Sequence, residues 1–396
     1  MNSIKQKIKK LSKDYFSEIV KIRRHIHSNP ELSFEEYKTS DFIASRLKEY
    51  GIPYQQGIAK TGVVGIIKGK NPDSKIIALR ADMDALSINE KNTCEYKSQN
   101  QGVMHACGHD AHIASLLGTA KILNELKNEF KGSVKLIFQP SEESYPGGAI
   151  RMIKEGVMKN PKVNKIFAQH VEPEMEVGKV GMKSNMYMAS TDEVYLTIKG
   201  KGGHAALPDK LVDPIVIASN IIISLQQIVS RNASPSVPTV LSFGRIIGEG
   251  RTNVIPDVVK VDGTIRTFNE PWRKEIHKKI KATAQSIAKN AGGSCDVRIA
   301  HGYPFLVNDK KTTEKARKSA QDFLGKENVL DIDLRMTAED FSYFADNAPA
   351  CFYRLGTGNK KQGITSSLHS STFEIDEKSL EIGMGLMAWF VVCELG

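Results

Sequence analysis

The chain has 396 residues, of which 40% are hydrophobic and 25% are charged, with 31 glycines and 15 prolines. This composition excludes a collagen-like, coiled-coil or disordered chain, and at roughly 100–200 residues per domain the length predicts about two domains. The net charge of +10 comes from lysines spread along the chain, without the focused basic patch that a nucleic-acid-binding protein needs.

Three features bear on the location of the protein. Residues 1–17 are rich in lysine and lack the uninterrupted apolar run of a secretory signal. The apolar stretch 384–392 is much shorter than the roughly 20 residues that span a bilayer. The five cysteines lack the spacing of a disulfide framework, which fits a reducing compartment. We therefore expect a cytoplasmic protein with neither a membrane segment nor a nucleic-acid partner.

Short apolar runs separated by helical patterns predict an α/β fold with a central mixed sheet flanked by helices. The runs expected to form buried strands are 76–79, 134–138, 166–168 and 351–355. Helical patterns cover residues 111–130 and 377–393, with Asp376 as a candidate N-cap of the second helix.

The middle of the chain has a different pattern, typical of a separate small α+β domain. Its expected elements are a strand at 193–199, a helix at 214–230, strands at 240–247 and 258–268, and a helix at 272–290. We therefore expect a catalytic domain formed by 1–186 and 301–396, with a smaller α+β domain, 187–300, inserted in it.

Titratable side chains follow four of the predicted strands of the larger domain. The side chains are Asp82, Asp84, Glu142, Glu143, His170 and His369. Because ligands of open α/β sheets bind beyond the carboxyl ends of the strands, these groups are expected at one edge of the sheet. Carboxylates and imidazoles gathered in this way indicate a metal site.

The segment 105–112 contains one cysteine and three histidines within eight positions. Cys107 and His109 are two residues apart, so in extended backbone both side chains project to one side and can share a metal ion, with Gly108 leaving room for it. His112, at helical spacing from His109, could stack beside the site or cap a buried polar group. A buried thiol beside a hydrogen-bonded histidine is the alternative.

Glu142 and Glu143 are adjacent carboxylates, whose repulsion requires a cation or a shared proton unless they form an exposed turn. On a turn they point in different directions, so one can bind a metal ion while the other acts as a general base. The second acidic pair, Asp82 and Asp84, could orient a ligating histidine, or could cap a helix or form a turn.

Ordered motifs along essentially the whole chain resemble the amidohydrolase family of hippurate hydrolase, bacterial aminoacylases and plant auxin-conjugate hydrolases, within a clan of cocatalytic metallopeptidases. The segments that carry the resemblance are 23–27, 30–34, 80–86, 104–112, 138–143, 200–205, 253–257, 263–266, 339–341 and 368–370. The resemblance implies two divalent ions per subunit, manganese or zinc, with cobalt or nickel as further options. The implied ligands are Cys107, His109, Glu143, His170 and His369, with Cys107 as the bridge where related peptidases use an aspartate.

The same resemblance implies roles for five other residues. Glu142 would be the general base that deprotonates the bridging water and then protonates the leaving amine, and Asp84 would orient a ligand. The inserted domain resembles a lid and dimerisation domain, which implies a homodimer. In it, His204 would polarise the scissile carbonyl, and Asn253 and Arg266 would hold the substrate carboxylate.

Ser87, Ala338 and Ser371 depart from the family pattern, but none is an implied ligand or the base. We therefore expect an active amidohydrolase that cleaves N-acyl amino acids, of the N-acetyl or N-benzoyl type, to a free amino acid and a carboxylate. The alternative is a metallo-carboxypeptidase or dipeptidase acting on short peptides. A cysteine hydrolase using Cys107 gives no reason for the Glu142 and Glu143 pair, and a non-catalytic metal-binding protein gives none for an intact base.

Overall fold

The computed structural model describes residues 2–396. Within this range the strands are β1 (Tyr54–Ile58), β2 (Gly62–Lys68), β3 (Ile76–Asp82), β4 (Ser133–Gln139), β5 (Lys165–Glu176), β6 (Val180–Met182), β7 (Asn185–Met188), β8 (Asp192–Lys199), β9 (Gly203–His204), β10 (Thr239–Ile247), β11 (Val254–Ile255), β12 (Val258–Thr267), β13 (Ser294–His301), β14 (Leu306–Asn308), β15 (Val329–Asp331) and β16 (Ala350–Gly358). The α-helices are α1 (Asn2–Ser28), α2 (Tyr37–Glu49), α3 (His109–Glu125), α4 (Gly148–Lys154), α5 (Pro214–Gln227), α6 (Glu270–Asn290), α7 (Lys310–Leu324), α8 (Ser342–Ala345) and α9 (Lys378–Leu395).

The chain divides into two compact units. The first contains the residues up to Asn185, Val307–Asp333 and Asp340–Gly396, and the second contains Met186–Leu306 and Leu334–Glu339. The second unit therefore exceeds the expected insert of 187–300. Strand β13 continues to His301, opposite Asp192 of β8, and the Ala189 amide donates to the Arg335 carbonyl at 3.0 Å. These contacts hold residues beyond 300 in the second unit.

An eight-stranded sheet forms the middle of the first unit, in the order β1-β2-β4-β3-β5-β16-β6-β15. Strands β4, β3, β5 and β16 are neighbours and run parallel, whereas β1, β2 and β6 make antiparallel pairs. The predicted fold class, a mixed sheet flanked by helices, is confirmed. The four parallel neighbours contain the four apolar runs singled out in the sequence, so their carboxyl ends lie at one edge.

Helices α1, α3 and α9 pack against one another and contribute to a single apolar core with the large sheet. Val134 and Leu136 of β4 lie in this core. The side chain of Lys135, which alternates with them, lies on the other face of the sheet, where its Nζ donates to the Val157 carbonyl at 2.6 Å. Helix α3 ends at Glu125 and not near residue 130 as predicted, because Phe130 is extended and buried beside Gly69.

The second unit has a four-stranded antiparallel sheet in the order β10-β12-β8-β13, covered by α5 and α6. The segment Pro214–Asn232 is, among residues 2–396, the one helical stretch that could cross a membrane by length and composition alone. Helix α5 is amphipathic, with Ile217, Ile221 and Leu225 in the core of this unit and Ile223 exposed.

Candidate metal centre

The predicted site residues of the first unit come from the carboxyl ends of the parallel strands. Asp84 follows β3 and Glu142 follows β4, whereas His170 lies within β5, since that strand continues to Glu176 beyond its expected end at 168. His369 comes from the loop after β16, where its amide donates to the Ala106 carbonyl at 2.8 Å.

A tight turn joins Cys107 to His109. Gly108 has φ +79°, and a Cβ atom there would lie 2.4 Å from Val171 Cγ2. The position therefore requires glycine for its backbone conformation and for its contact with Val171. The expected extended backbone is wrong, because His109 is the first residue of α3.

Two groups of three potential ligand atoms share the sulfur of Cys107. The first group is Cys107, His109 and His170, the second is Cys107, Glu143 and His369, and the ligand atoms within each group lie within 4.8 Å of one another. Cys107 Sγ is 3.5 Å from His170 Nε2 and 3.3 Å from His369 Nε2. The structure thus brings all five predicted ligands together, with the thiol common to both groups.

Backbone carbonyls fix the orientation of two of these histidines. Nδ1 of His109 lies 2.8 Å from the Asp84 carbonyl, and Nδ1 of His170 lies 2.8 Å from the Val171 carbonyl. A carbonyl can only accept, so each Nδ1 carries a proton and donates it. The Nε2 atoms then face the cluster, which is the arrangement that ligating histidines require.

The donor set fits a cation. His109 Nε2 is buried and has no hydrogen-bond partner among the described residues. Burial alone would lower the pKa of His109, but Asp82 and Asp84 outweigh it and raise the pKa to about 10. Burial and the charges of Glu143 and Glu142 raise the pKa of the Cys107 thiol. The shift of His109, and the part of the Cys107 shift that comes from the two glutamates, express an excess of negative charge, which a divalent ion would balance while favouring the thiolate.

His112 has another role. Its Nδ1 lies 2.5 Å from Asp82 Oδ1, and its Nε2 accepts a hydrogen bond from the Val171 amide at 2.9 Å. Because Nε2 accepts, the proton of a neutral ring is on Nδ1 and is donated to Asp82. Both nitrogens are therefore used, and His112 serves buried polar groups, one of the two possibilities that its spacing indicated.

Asp84 contacts more of the site than its predicted role required. Its Oδ1 accepts from the Glu142 amide at 2.9 Å, and its Oδ2 accepts from the Glu143 amide at 3.0 Å and from the Ser33 hydroxyl at 2.6 Å. Burial would raise the pKa of Asp84, but the contact of His109 Nδ1 with its carboxylate and the hydrogen bonds from the Ser33 hydroxyl and the Glu143 amide lower it, so the carboxylate is charged. Ser33 lies in the family motif at 30–34, but no pattern in the sequence connects its hydroxyl with this site.

The other three predicted residues lie in the second unit. His204 is exposed in β9, and its Nδ1 accepts from the Ala206 amide at 3.1 Å. Asn253 directly precedes β11, and its carbonyl accepts from the Ala205 amide at 3.0 Å. Arg266 lies in β12, where burial lowers its pKa.

Comparisons with known proteins match this chain to one peptidase family and to several named enzymes. The model of Peptidase family M20/M25/M40 matches residues 78–392. The chain is 41% identical to IAA-amino acid hydrolase ILR1-like 4 of Arabidopsis thaliana, over 95% of this chain and 85% of that protein. It is 39% identical to N-acetyl-L-cysteine deacetylase of Bacillus subtilis, over 92% and 85%. It is 38% identical to thermostable carboxypeptidase 2 of Saccharolobus solfataricus, over 96% and 95%.

Two solved structures cover nearly the whole chain. A putative aminohydrolase from methicillin-resistant Staphylococcus aureus has a TM-score of 0.90 and 35% identity, covering 99% of this chain and 100% of its own. The YXEP protein of Bacillus subtilis, described as a dinuclear metal binding peptidase from the M20 family, has a TM-score of 0.81 and 33% identity, covering 97% and 99%.

Proposed function

Because this chain belongs to peptidase family M20/M25/M40, a family of metal-dependent hydrolases, we propose that it cleaves the amide bond of N-acyl amino acids, of the N-acetyl or N-benzoyl type. The family predicted from the sequence motifs is confirmed, and so is the prediction of an enzyme. The observation that carries the proposal is the pair of three-residue donor groups that share Cys107, with Glu142 beside them.

We propose that two divalent ions, manganese or zinc, are held by the two groups that share Cys107. The sulfur of Cys107 belongs to both groups and is therefore suited to act as a bridging ligand. A thiolate favours borderline ions, so cobalt and nickel remain options beside manganese and zinc. When bound, such ions polarise a carbonyl and lower the pKa of a water molecule toward neutrality.

Glu142 supplies the proton transfers of the proposed reaction. It accepts a proton from the attacking water and returns it to the nitrogen of the leaving amino acid. Its carboxylate is nearly buried, and its amide is held on Asp84 Oδ1 at 2.9 Å. A buried base held by its own main chain loses little freedom when substrate binds, because its position is already fixed.

His204 is suited to donate a hydrogen bond to the oxygen of the scissile carbonyl. Because Nδ1 accepts from the Ala206 amide, the proton of the neutral ring is on Nε2. A donor aimed at the developing negative charge stabilises the tetrahedral state more than the substrate. Asn253 and Arg266 then hold the carboxylate of the amino acid, for which the planar guanidinium of arginine provides two parallel hydrogen bonds.

We also propose that the protein is a homodimer formed through its second unit. Helix α5 leaves Val216 and Ile223 56% and 68% exposed, and β10 is an edge strand of its sheet that carries Ile246, 53% exposed. Apolar side chains beside a free strand edge are typical of an interface between subunits.

The test is amine release from N-acetyl, N-benzoyl and longer N-acyl amino acids, run beside dipeptides. Each substrate is given to chelator-treated protein with and without added manganese or zinc. We expect added metal to restore cleavage of the acyl amino acids. Cleavage of dipeptides alone would favour the second candidate, a metallo-carboxypeptidase, which the 38% identity to thermostable carboxypeptidase 2 supports. Activity that chelation does not affect would contradict both.

A further inference from the structure

Three successive backbone N–H groups after β4 donate to two buried carboxylates. The Ser141 amide donates to Glu36 Oε1 at 2.8 Å, and the amides of Glu142 and Glu143 donate to Asp84 at 2.9 and 3.0 Å. Consecutive amides that converge on anions form a nest. Here the anions are side chains of the same chain, and the nest is the backbone that carries the proposed general base.

Ser141 needs such support. It is fully buried and has φ +50°, a left-handed conformation that is unfavourable for a residue with a Cβ atom. Conformations of this kind persist when surrounding contacts impose them, and they are concentrated at functional sites. The Gly148 amide donates to the Ser141 carbonyl at 2.7 Å, and the bond to Glu36 holds the other side of the residue.

Glu36 is itself unusual. It is fully buried, and within residues 2–396 no lysine, arginine or histidine forms an ion pair with it. Its Oε2 accepts from the Thr61 hydroxyl at 2.6 Å. Burial, with a contribution from Asp84, raises its pKa to about 7. Burying a carboxyl group without a cationic partner costs free energy, so packing alone does not explain why Glu36 is placed against Thr61 and Ser141.

We propose that Glu36 is a positioning residue for the general base: by holding the Ser141 amide, it fixes the turn that presents Glu142. This inference rests on the proposed function, because it assigns Glu36 to the proton transfers of that reaction. It extends the site to the start of α2, which no motif of the metal centre includes.

Matched substitutions separate the hydrogen bond from the bulk of the side chain. Glu36→Leu keeps the approximate size and removes the acceptor. Glu36→Gln keeps an oxygen for the Ser141 amide and offers an NH₂ group to the Thr61 hydroxyl. Since small displacements of a reacting group cost up to about 100-fold in rate, we expect E36L to lower kcat about 10- to 100-fold with KM and metal content unchanged. E36Q should retain most of kcat, and the exposed neighbour Glu35→Leu should not change it.

A double-mutant cycle tests whether Glu36 acts through Glu142. In a Glu142→Gln background the base is already lost, so E36L should lower the residual rate by less than about three-fold. An equal loss in both backgrounds, or an equal loss in E36L and E36Q, would overturn the proposal. Should E36L fail to fold, Thr61→Val removes one bond from Glu36 and should give a smaller loss of kcat, again without a change of KM; an unchanged kcat there would overturn it.

Amide hydrogen exchange distinguishes failure of this inference from failure of the proposed function. The peptide that covers residues 139–143 should exchange faster in E36L than in wild type, and not in E36Q. If no acyl amino acid is cleaved but this difference is seen, the function is wrong and the support of the turn stands. If exchange and kcat are both unaffected in E36L, Glu36 has no positioning role.

Discussion

The Arg23 guanidinium lies against the carboxylate of Asp110, with Nε 2.7 Å from Oδ2 and both side chains fully buried. His27 Nδ1 lies 2.8 Å from the same oxygen. Burial would raise the pKa of Asp110, but the two partners hold it far below its usual range. Since Asp110 directly follows His109, this contact fixes the start of α3 to α1, and therefore fixes the turn that carries two of the proposed ligands.

Replacing Asp110 by Asn should destabilise the fold strongly. Arg23 would keep Glu374 at 2.9 Å, but it would lose its buried anion, and breaking buried pairs costs about 3–5 kcal/mol. Urea unfolding of the chelator-treated protein measures the loss. Asp322→Asn is the matched control, because Asp322 pairs with Lys5 at 2.7 Å on the surface and such pairs contribute about 0–1 kcal/mol. Similar losses in the two variants would contradict the prediction.

Glu142→Gln should leave the fold and the metal content unchanged while lowering kcat by about 10²- to 10⁴-fold, since the amide cannot accept the proton. Metal analysis and steady-state rates measure the two effects. Glu143→Gln should instead lower the metal content, because Glu143 lies in one of the donor groups. A Glu142→Gln enzyme that keeps its rate would remove Glu142 from the mechanism.

Substitutions of Cys107 distinguish a bridging ligand from a nucleophile. Cys107→Ala should bind fewer than two ions per subunit and lose activity, whereas Cys107→Asp should retain more of both, because a carboxylate can also bridge. Metal content and amine release are the measurements. A cysteine hydrolase would lose all activity in both variants and would not respond to chelators. The raised pKa of the buried thiol argues against that chemistry when no cation is present.

Glu36 should make the stability of the metal-free protein fall with rising pH. Its pKa is about 7 in the folded protein, above the ordinary value near 4.5, so the folded state binds more protons than the unfolded state between these values. The stabilising effect is complete below about pH 4.5 and is lost as the pH rises through 7, a change of at most about 3 kcal/mol. Glu36→Gln removes the titration. Its free energy of unfolding relative to wild type should therefore increase from pH 5 to pH 8, and a constant difference would contradict the assignment.

Ile223→Lys should convert the proposed dimer to a monomer, since a charge is placed on the most exposed of the large apolar side chains of α5. Light scattering after size exclusion measures the mass. Tyr37→Lys, at a 52% exposed position in the first unit, is the control and should not change it. A dimer that survives Ile223→Lys, or a wild-type monomer at micromolar concentration, would argue against the interface.

The sequence predicted those parts of the site that depend on local pattern. The apolar runs at 76–79 and 134–138 lie within β3 and β4, and the side chains after them reach one edge because the strands are parallel neighbours. Glu36 was not predicted. It adjoins the exposed Glu35 and resembles a surface acidic pair, and its burial arises from packing against Thr61 and Ser141, which are distant in sequence.

The two donor groups draw on Cys107 and His109, which are close in sequence, and on Glu143, His170 and His369, which come from distant segments. Of these five residues, an unfolded chain can thus hold only Cys107 and His109 near one another, and the remaining ligands arrive when β4, β5 and the loop after β16 have assembled. Metal uptake should accordingly follow folding and not guide it. In a cell, the supply of ions would then determine how much folded protein is active and how long it lasts, rather than how fast it forms.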